Sequence, residues 1–198
     1  MTLDWHLQYG PAMPFLGADA WNDVVLQEQS LLGGGEDGRA VLADPRAFHT
    51  AVREFVKRIR ARHATPVLLM TWPRRDVPTD GPGLERAYLT IGRELGVTVA
   101  PVGSAWMEAE RRWPWLDLYG GDGAHPNAEG SYLAACVTYA TLTGHNPAGA
   151  PAAIAGHFVD RRSGAVDLGE TILLVDLDPK TAGALQEVAW DTVSGRSR

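Results

Sequence analysis

The chain has 198 residues, 45% of them hydrophobic and 21% charged, with 18 Lys and Arg against 24 Asp and Glu for a formal net charge of −6. That length suffices for one good core and the composition is that of an ordinary folded protein, while the acidic balance argues against general nucleic-acid or anionic-membrane binding, which need a basic surface. The single cysteine, Cys136, excludes an internal disulfide and a cysteine-built zinc site.

In chain order, Asp23-Val-Val-Leu-Gln27 is a short apolar run after a Trp-Asn-Asp turn and reads as a buried strand. A glycine-rich loop, Gly33–Gly38, follows. From Asp44 to His63 the chain reads as a helix: Asp44 can cap it, Pro45 suits its first turn, and Phe48, Val52, Phe55, Val56 and Ile59 recur at helical spacing. Its basic residues Arg53, Lys57, Arg58, Arg60 and Arg62 read as a solvated face. Pro66–Trp72 is a second strand, ended by Pro73. Leu84, Tyr88, Ile91 and Leu95 mark one face of a helix that Gly96 closes.

Val97–Val102 is a third strand and Ser104–Arg112 a short helix. After a loop from Trp113 to Pro126, Asn127 can cap a helix that carries Cys136 as a buried thiol, runs to about Thr143 and ends at Gly144. The tail holds an Ala/Pro/Gly stretch, an apolar run at Thr171–Leu177, and a helix capped by Asp178 and started by Pro179, with Leu185, Val188 and Ala189 inward. Strands alternating with helices predict an α/β fold: a three-layer αβα sandwich on a flavodoxin-like parallel sheet. The expected organisation is residues 1–146 as the α/β domain and 147–198 as an extension packed on it.

Ligands of such sheets bind beyond the carboxyl ends of the strands. Gln27-Glu-Gln-Ser30, Thr71-Trp72 and Asp122-Gly-Ala-His125-Pro126 fall there. An Asp three residues before a His, in a glycine-containing turn fixed by Pro126, suits a locally held pair in which Asp122 orients the imidazole of His125 and the imidazole serves as general base. Other chemistries lack their residues. Gly33–Gly38 has no following Gly-Lys-Ser/Thr, no Gly-x-Gly-x-x-Gly or Gly-x-Ser-x-Gly occurs, and His145 and His157 lack metal-ligand spacing. Trp72, Trp113 and Trp115 fall near strand ends or in the loop leading to Asp122, where aromatic rings can cover acyl groups or stack on sugars.

Together Trp21-Asn-Asp-Val-Val-Leu-Gln-Glu-Gln-Ser30, Leu69-Met-Thr-Trp72 and Gly121-Asp-Gly-Ala-His-Pro-Asn-Ala-Glu-Gly130 resemble a branch of the SGNH/GDSL hydrolase superfamily, over about residues 1 to 145 and again at Leu185–Trp190. The resemblance implies a serine hydrolase of carboxylic esters, an esterase or carbohydrate deacetylase, without metal or organic cofactor. Asp122 and His125 match the last family block, and Gln29 stands where the third block has an oxyanion-binding Asn. Trp72 is the expected substrate-binding aromatic. The Gly-Asp-Ser-like block of the nucleophile has no counterpart in the chain, and neither Ser30, Ser104 nor Ser131 follows a strand in a glycine-flanked turn.

By the family pattern the first strand here is the third of the fold, everything before Trp21 is the helix leading into it, and Val24-Val-Leu26 becomes a bare apolar sheet edge open to self-association. The expectation is therefore a fold missing its first strands, starting upstream of Met1, or else a degenerate, non-catalytic binding or assembly module. A metal-dependent hydrolase built on Asp122 and His125 would need ligands not found nearby. The implied partner is a small-molecule or carbohydrate ester. No apolar run reaches the roughly 18–20 residues of a membrane span, and the first basic residue is Arg39, so the chain reads as cytoplasmic, or secreted if an upstream segment carries a leader.

Overall fold

Three short apolar runs, Asp23–Leu26 (β1), Thr65–Leu69 (β2) and Thr98–Ala100 (β3), pair in parallel in the order β1-β2-β3 in the computed structural model. The structure describes residues 1–31, 45–159 and 166–195, so the Gly33–Gly38 loop and the Asp44 cap lie outside the described residues. Its contacts divide it into two compact units, Met1–Met107 and Glu108–Arg198.

In the first unit, the register sets Val25 opposite Val67 and Leu68 opposite Val99. Parallel strands need crossover connections, and helices supply them. Helix α3 (Arg46–Arg60) buries Phe48, Ala51, Val52, Phe55, Val56 and Ile59, one stripe at helical spacing. Its basic face is solvated as expected: Arg53 makes a bidentate pair with Glu94 at 2.7 and 2.8 Å, and Arg60 donates to the carbonyls of Leu95 and Gly96. Helix α4 (Gly81–Leu95) buries Leu84, Ala87, Tyr88 and Ile91 and stops at Gly96, whose φ of 58° is left-handed.

The segment before Trp21 forms two helices, α1 (Leu3–Gln8) and α2 (Ala12–Ala18), where one was expected. Pro11 has no N–H to continue α1 and disfavours helical backbone at Gly10. Strand β2 is also shorter than the run Pro66–Trp72. Beyond Leu69 the ladder is replaced by single bonds: the Met70 N–H donates to Ala100 O (3.0 Å), and Met70 O accepts from the Gly103 N–H (3.1 Å). The close pass there needs glycine, because a Cβ on Gly103 would lie 2.1 Å from Thr71 O.

Helix α5 (Val102–Arg112) crosses the boundary between the units. In the second unit α6 (Ala128–Thr143) packs on α7 (Pro179–Val193). The caps are those read from the sequence. Asn127 Oδ1 accepts from the Gly130 N–H, Gly144 has φ 72°, and Asp178 Oδ1 accepts from the N–H groups of Lys180 and Thr181. Cys136 is buried, and burial pushes its thiol up to about 11. Buried Gln186 ties α7 to its surroundings: Nε2 donates to Tyr132 Oη (2.7 Å) and Ala150 O (3.1 Å), and Oε1 accepts from the Gly149 N–H (2.9 Å). Arg112 binds Glu108 (2.6 Å) and Asp191 (2.7 Å), joining the end of α5 to α7.

The tail also contains a strand that the sequence reading did not separate from the Ala/Pro/Gly stretch. Ala153–Val159 (β4) pairs antiparallel with Val166–Asp176 (β5), which includes the expected apolar run up to Asp176. The first half of β4, Ala153 to Gly156, is three-quarters Ala and Gly, which have low strand propensity, and this hid the strand although Ile154, Phe158 and Val159 are strand-forming residue types.

Candidate active site

The loop between α5 and α6 is folded back on itself. The Asn127 N–H donates to Leu118 O (3.1 Å) and the Gly120 N–H to His125 O (2.8 Å), giving an antiparallel bridge at Tyr119 and Pro126. Asn127 Nδ2 donates to Asp117 O (2.7 Å) while its Oδ1 caps α6, so one side chain anchors both the loop and the helix. The reversal occurs at Gly123, with φ 66°, a conformation that glycine adopts without strain.

Within that loop Asp122 uses both oxygens. Oδ1 accepts from the N–H groups of Ala124 and His125, each at 2.9 Å, and Oδ2 lies 2.6 Å from His125 Nδ1. These bonds, the imidazole first and the two backbone donors next, hold the Asp122 carboxyl well below the usual carboxylate range. An ionised carboxylate can only accept, so Nδ1 carries the proton and the lone pair of the neutral ring is on Nε2. The imidazole is 84% exposed, and Nε2 has no described hydrogen-bond partner in the second unit. The arrangement can take a proton at Nε2 and stabilise the resulting cation through Asp122.

Gln29 and Trp72 belong to the first unit, at the carboxyl ends of β1 and β2. Gln29 is half-buried and its backbone N–H donates to the carboxylate of Glu28 (2.8 Å). Trp72 is only 7% exposed and stacks face to face on Trp106, with ring centroids 4.4 Å apart and planes 4° off parallel. Trp113 and Trp115 lie in the second unit, each under a cation: Arg112 at 5.9 Å and Lys180 at 4.5 Å from the ring centroids. Ser104 Oγ donates to Glu85 (2.7 Å), and Ser131 sits in the first turn of α6 with its N–H on Asn127 O.

The residue that sequence reasoning missed is Glu28. It is 2% exposed, Oε2 accepts from the Leu3 N–H (2.9 Å), Oε1 accepts from the Gln29 N–H, and its own N–H donates to Tyr88 Oη (3.1 Å). Burial outweighs these bonds and raises its carboxyl above the ordinary value. Its place next to the candidate residue Gln29 was the available signal, but a carboxylate after a strand ordinarily faces solvent.

A family model described as the GDSL-like lipase/acylhydrolase family matches residues 3–133. Among solved structures, a DUF4886 family protein from Bacteroides uniformis ATCC 8492 aligns with a TM-score of 0.66 at 18% identity, covering 94% of this chain and 68% of its own. No curated protein matches the chain. Among the described residues no helix is long and apolar enough to cross a membrane.

Proposed function

The chain belongs to the GDSL-like lipase/acylhydrolase family, and we propose that Asp122 and His125 are the orienting acid and general base of a carboxylic ester hydrolase, an esterase or a deacetylase. The observation that carries this reading is the Asp122 carboxylate, fixed by two backbone N–H groups and set 2.6 Å from His125 Nδ1. In the proposed cycle, His125 Nε2 takes the proton of a serine hydroxyl as the serine oxygen bonds to the acyl carbonyl carbon. By the family resemblance the part of oxyanion donor falls to the carboxamide of Gln29, together with backbone N–H groups. The alcohol leaves with the proton from His125, and water, deprotonated by the same ring, cleaves the acyl-enzyme. Trp72, held flat by Trp106, contributes an apolar support for the acyl or sugar portion.

The nucleophile in this reading is a serine outside these 198 residues, since the chain has no Gly-Asp-Ser block, Ser104 is bonded to Glu85 and Ser131 is inside α6. Among the described residues β1 has a strand neighbour on one side only, and Val25 on it is exposed. A groove of about 480 Å³ with Leu3, Phe15, Leu16, Val24 and Phe55 in its walls runs beside it. That edge is the proposed place for further strands, or for self-association where they are lacking. The absent serine block also supports a second reading, a binding module that keeps the ester site without turnover.

The test is hydrolysis of p-nitrophenyl acetate by the protein purified from its native cell, against His125→Ala and Asp122→Asn forms. The expected loss for Asp122→Asn is about 10⁴ in kcat, as for other acids that orient a catalytic imidazole. Turnover untouched by His125→Ala would refute the assignment, and bound but unhydrolysed ester would favour the binding module.

A further inference from the structure

The ladder between β1 and β2 stops with Leu26 opposite Leu68, and the residues that follow carry candidate-site positions: Glu28 and Gln29 after one strand, Thr71 and Trp72 after the other. Beyond the ladder each segment needs a partner for its backbone other than the facing strand. Tyr88 supplies it. This residue of α4 is fully buried, its ring packed on Phe48 with centroids 4.7 Å apart. Its Oη accepts from the Glu28 N–H at 3.1 Å, and the backbone of Thr71 is bonded to the same oxygen. One hydroxyl therefore stands in for ladder bonds, and each backbone it holds belongs to the residue immediately before a candidate-site residue, Gln29 in one case and Trp72 in the other.

Each segment is also held from its own side. The Glu28 carboxylate accepts from the Gln29 N–H at 2.8 Å and from the Leu3 N–H at 2.9 Å. On the other segment, Gly103 passes so close that a Cβ on it would lie 2.1 Å from Thr71 O, and Trp72 is stacked flat on Trp106. The Tyr88 hydroxyl is bonded to both segments and so sets the distance between them. Burial holds the phenol above its ordinary range, so around neutrality it is an uncharged hydroxyl with two lone pairs for two donors. A phenylalanine would fill the same space beside Phe48; the hydroxyl is the part of this side chain that packing does not require.

We propose that Tyr88 is a positioning residue of the ester site: its hydroxyl sets the spacing between Gln29, the proposed oxyanion donor, and Trp72, the proposed apolar support. The proposal rests on the ester-hydrolase reading above. The chemistry calls for such a brace. An oxyanion donor is effective only when it is in place before charge develops, and a misplacement of about 1 Å costs about 10²-fold in rate. The hydroxyl of a tyrosine whose ring is locked in the core has a fixed reach, so two backbones bonded to it cannot drift apart without losing a buried hydrogen bond.

The experiment uses Tyr88→Phe, which keeps the ring and removes one oxygen, in the protein as expressed in its native cell. The first readout is amide hydrogen exchange, which needs no turnover. Exchange is expected to rise at least about tenfold at Glu28–Gln29 and at Thr71–Trp72 together, as both backbones lose their acceptor. The second is hydrolysis of p-nitrophenyl acetate, where kcat is expected to fall about 10- to 100-fold with KM within about threefold of wild type, the pattern of an interaction made in the transition state. In a Gln29→Ala background the same substitution should cost less than about twofold in kcat, because it acts through that side chain. Faster exchange at one segment alone, or an unchanged kcat in a folded Tyr88→Phe protein, overturns the proposal. So does an equal loss of kcat with and without the Gln29 carboxamide, which is what a general loosening of the core would give. A wild type that hydrolyses no ester refutes the reading of the site, while the exchange result still decides whether Tyr88 spans the two segments. Should Tyr88→Phe not fold by circular dichroism, difluorotyrosine in place of Tyr88, a weaker acceptor of nearly the same shape, is expected to quicken exchange at both segments, and unchanged exchange there overturns the proposal.

Discussion

Replacing Glu28 by Ala tests how the residues around Gln29 are held. The carboxylate accepts two N–H donors, from Leu3 at 2.9 Å and Gln29 at 2.8 Å. Hydrogen bonds to a charged group contribute about 1.5–3 kcal/mol each, or roughly 3–6 kcal/mol for the pair. Part of this is offset by keeping a carboxylate out of water, the effect that raises its pKa. With the offset, and with the buried Leu3 N–H left orphaned in the variant, the net cost is about 2–4 kcal/mol. For a chain of this length that is roughly 4–16 °C in Tm, at about 2–4 °C per kcal/mol.

The assay is urea unfolding followed by near-ultraviolet circular dichroism, where the stacked Trp72 and Trp106 report on the same unit. pH supplies a second test. The folded-state pKa of Glu28 is raised above its ordinary 4.5, so the folded protein holds this proton more tightly than the unfolded chain. Its contribution is fully present below 4.5 and declines as pH rises through the raised value. The stability gap between wild type and variant should therefore narrow over that window. A loss under about 1 kcal/mol, the contribution of a single ordinary hydrogen bond, would refute the reasoning, as would a gap that widens with pH.

Arg112→Ala and Asp191→Ala, combined in a double-mutant cycle read by chemical unfolding, should show a coupling of about 0.5–1 kcal/mol, because the two half-buried side chains are 2.7 Å apart. Arg111 and Arg112 hold the Glu108 carboxyl down to about 2, so its contribution is complete above its ordinary 4.5 and is lost as pH falls through about 2. An acid titration of stability that is indifferent to Glu108→Gln would contradict this. Gly123→Ala forces a Cβ into φ 66° at the centre of the Asp122–His125 turn; it should cost about 1–2 kcal/mol in calorimetry and broaden the His125 ring resonances.

The elements that the sequence revealed are those whose determinants are local. The caps Asn127 and Asp178, the left-handed stops Gly96 and Gly144, and the stripes of α3 and α4 each lie within a few residues of what they control. The Asp122–His125 pair was legible for the same reason, being three residues apart in one turn. What escaped depends on distant partners. Glu28 is fixed by Leu3 and Tyr88, 25 and 60 residues away. Strand β4 begins inside the Ala/Pro/Gly stretch, and its partner β5 follows it by a further connection. Trp72 could be assigned to a strand end, but its stacking on Trp106 depends on how β2 and α5 pack.

The proposed role of His125 is tested most directly by covalent labelling with a fluorophosphonate, applied to the protein as isolated from its native cell and read by intact mass and peptide mapping. The account predicts one phosphonyl adduct, on a serine that is none of those in these 198 residues. It also predicts that His125→Ala slows adduct formation by about 10³-fold or more, the scale of a lost general base. A protein that takes no label, or one labelled at the same rate without the His125 imidazole, would contradict it.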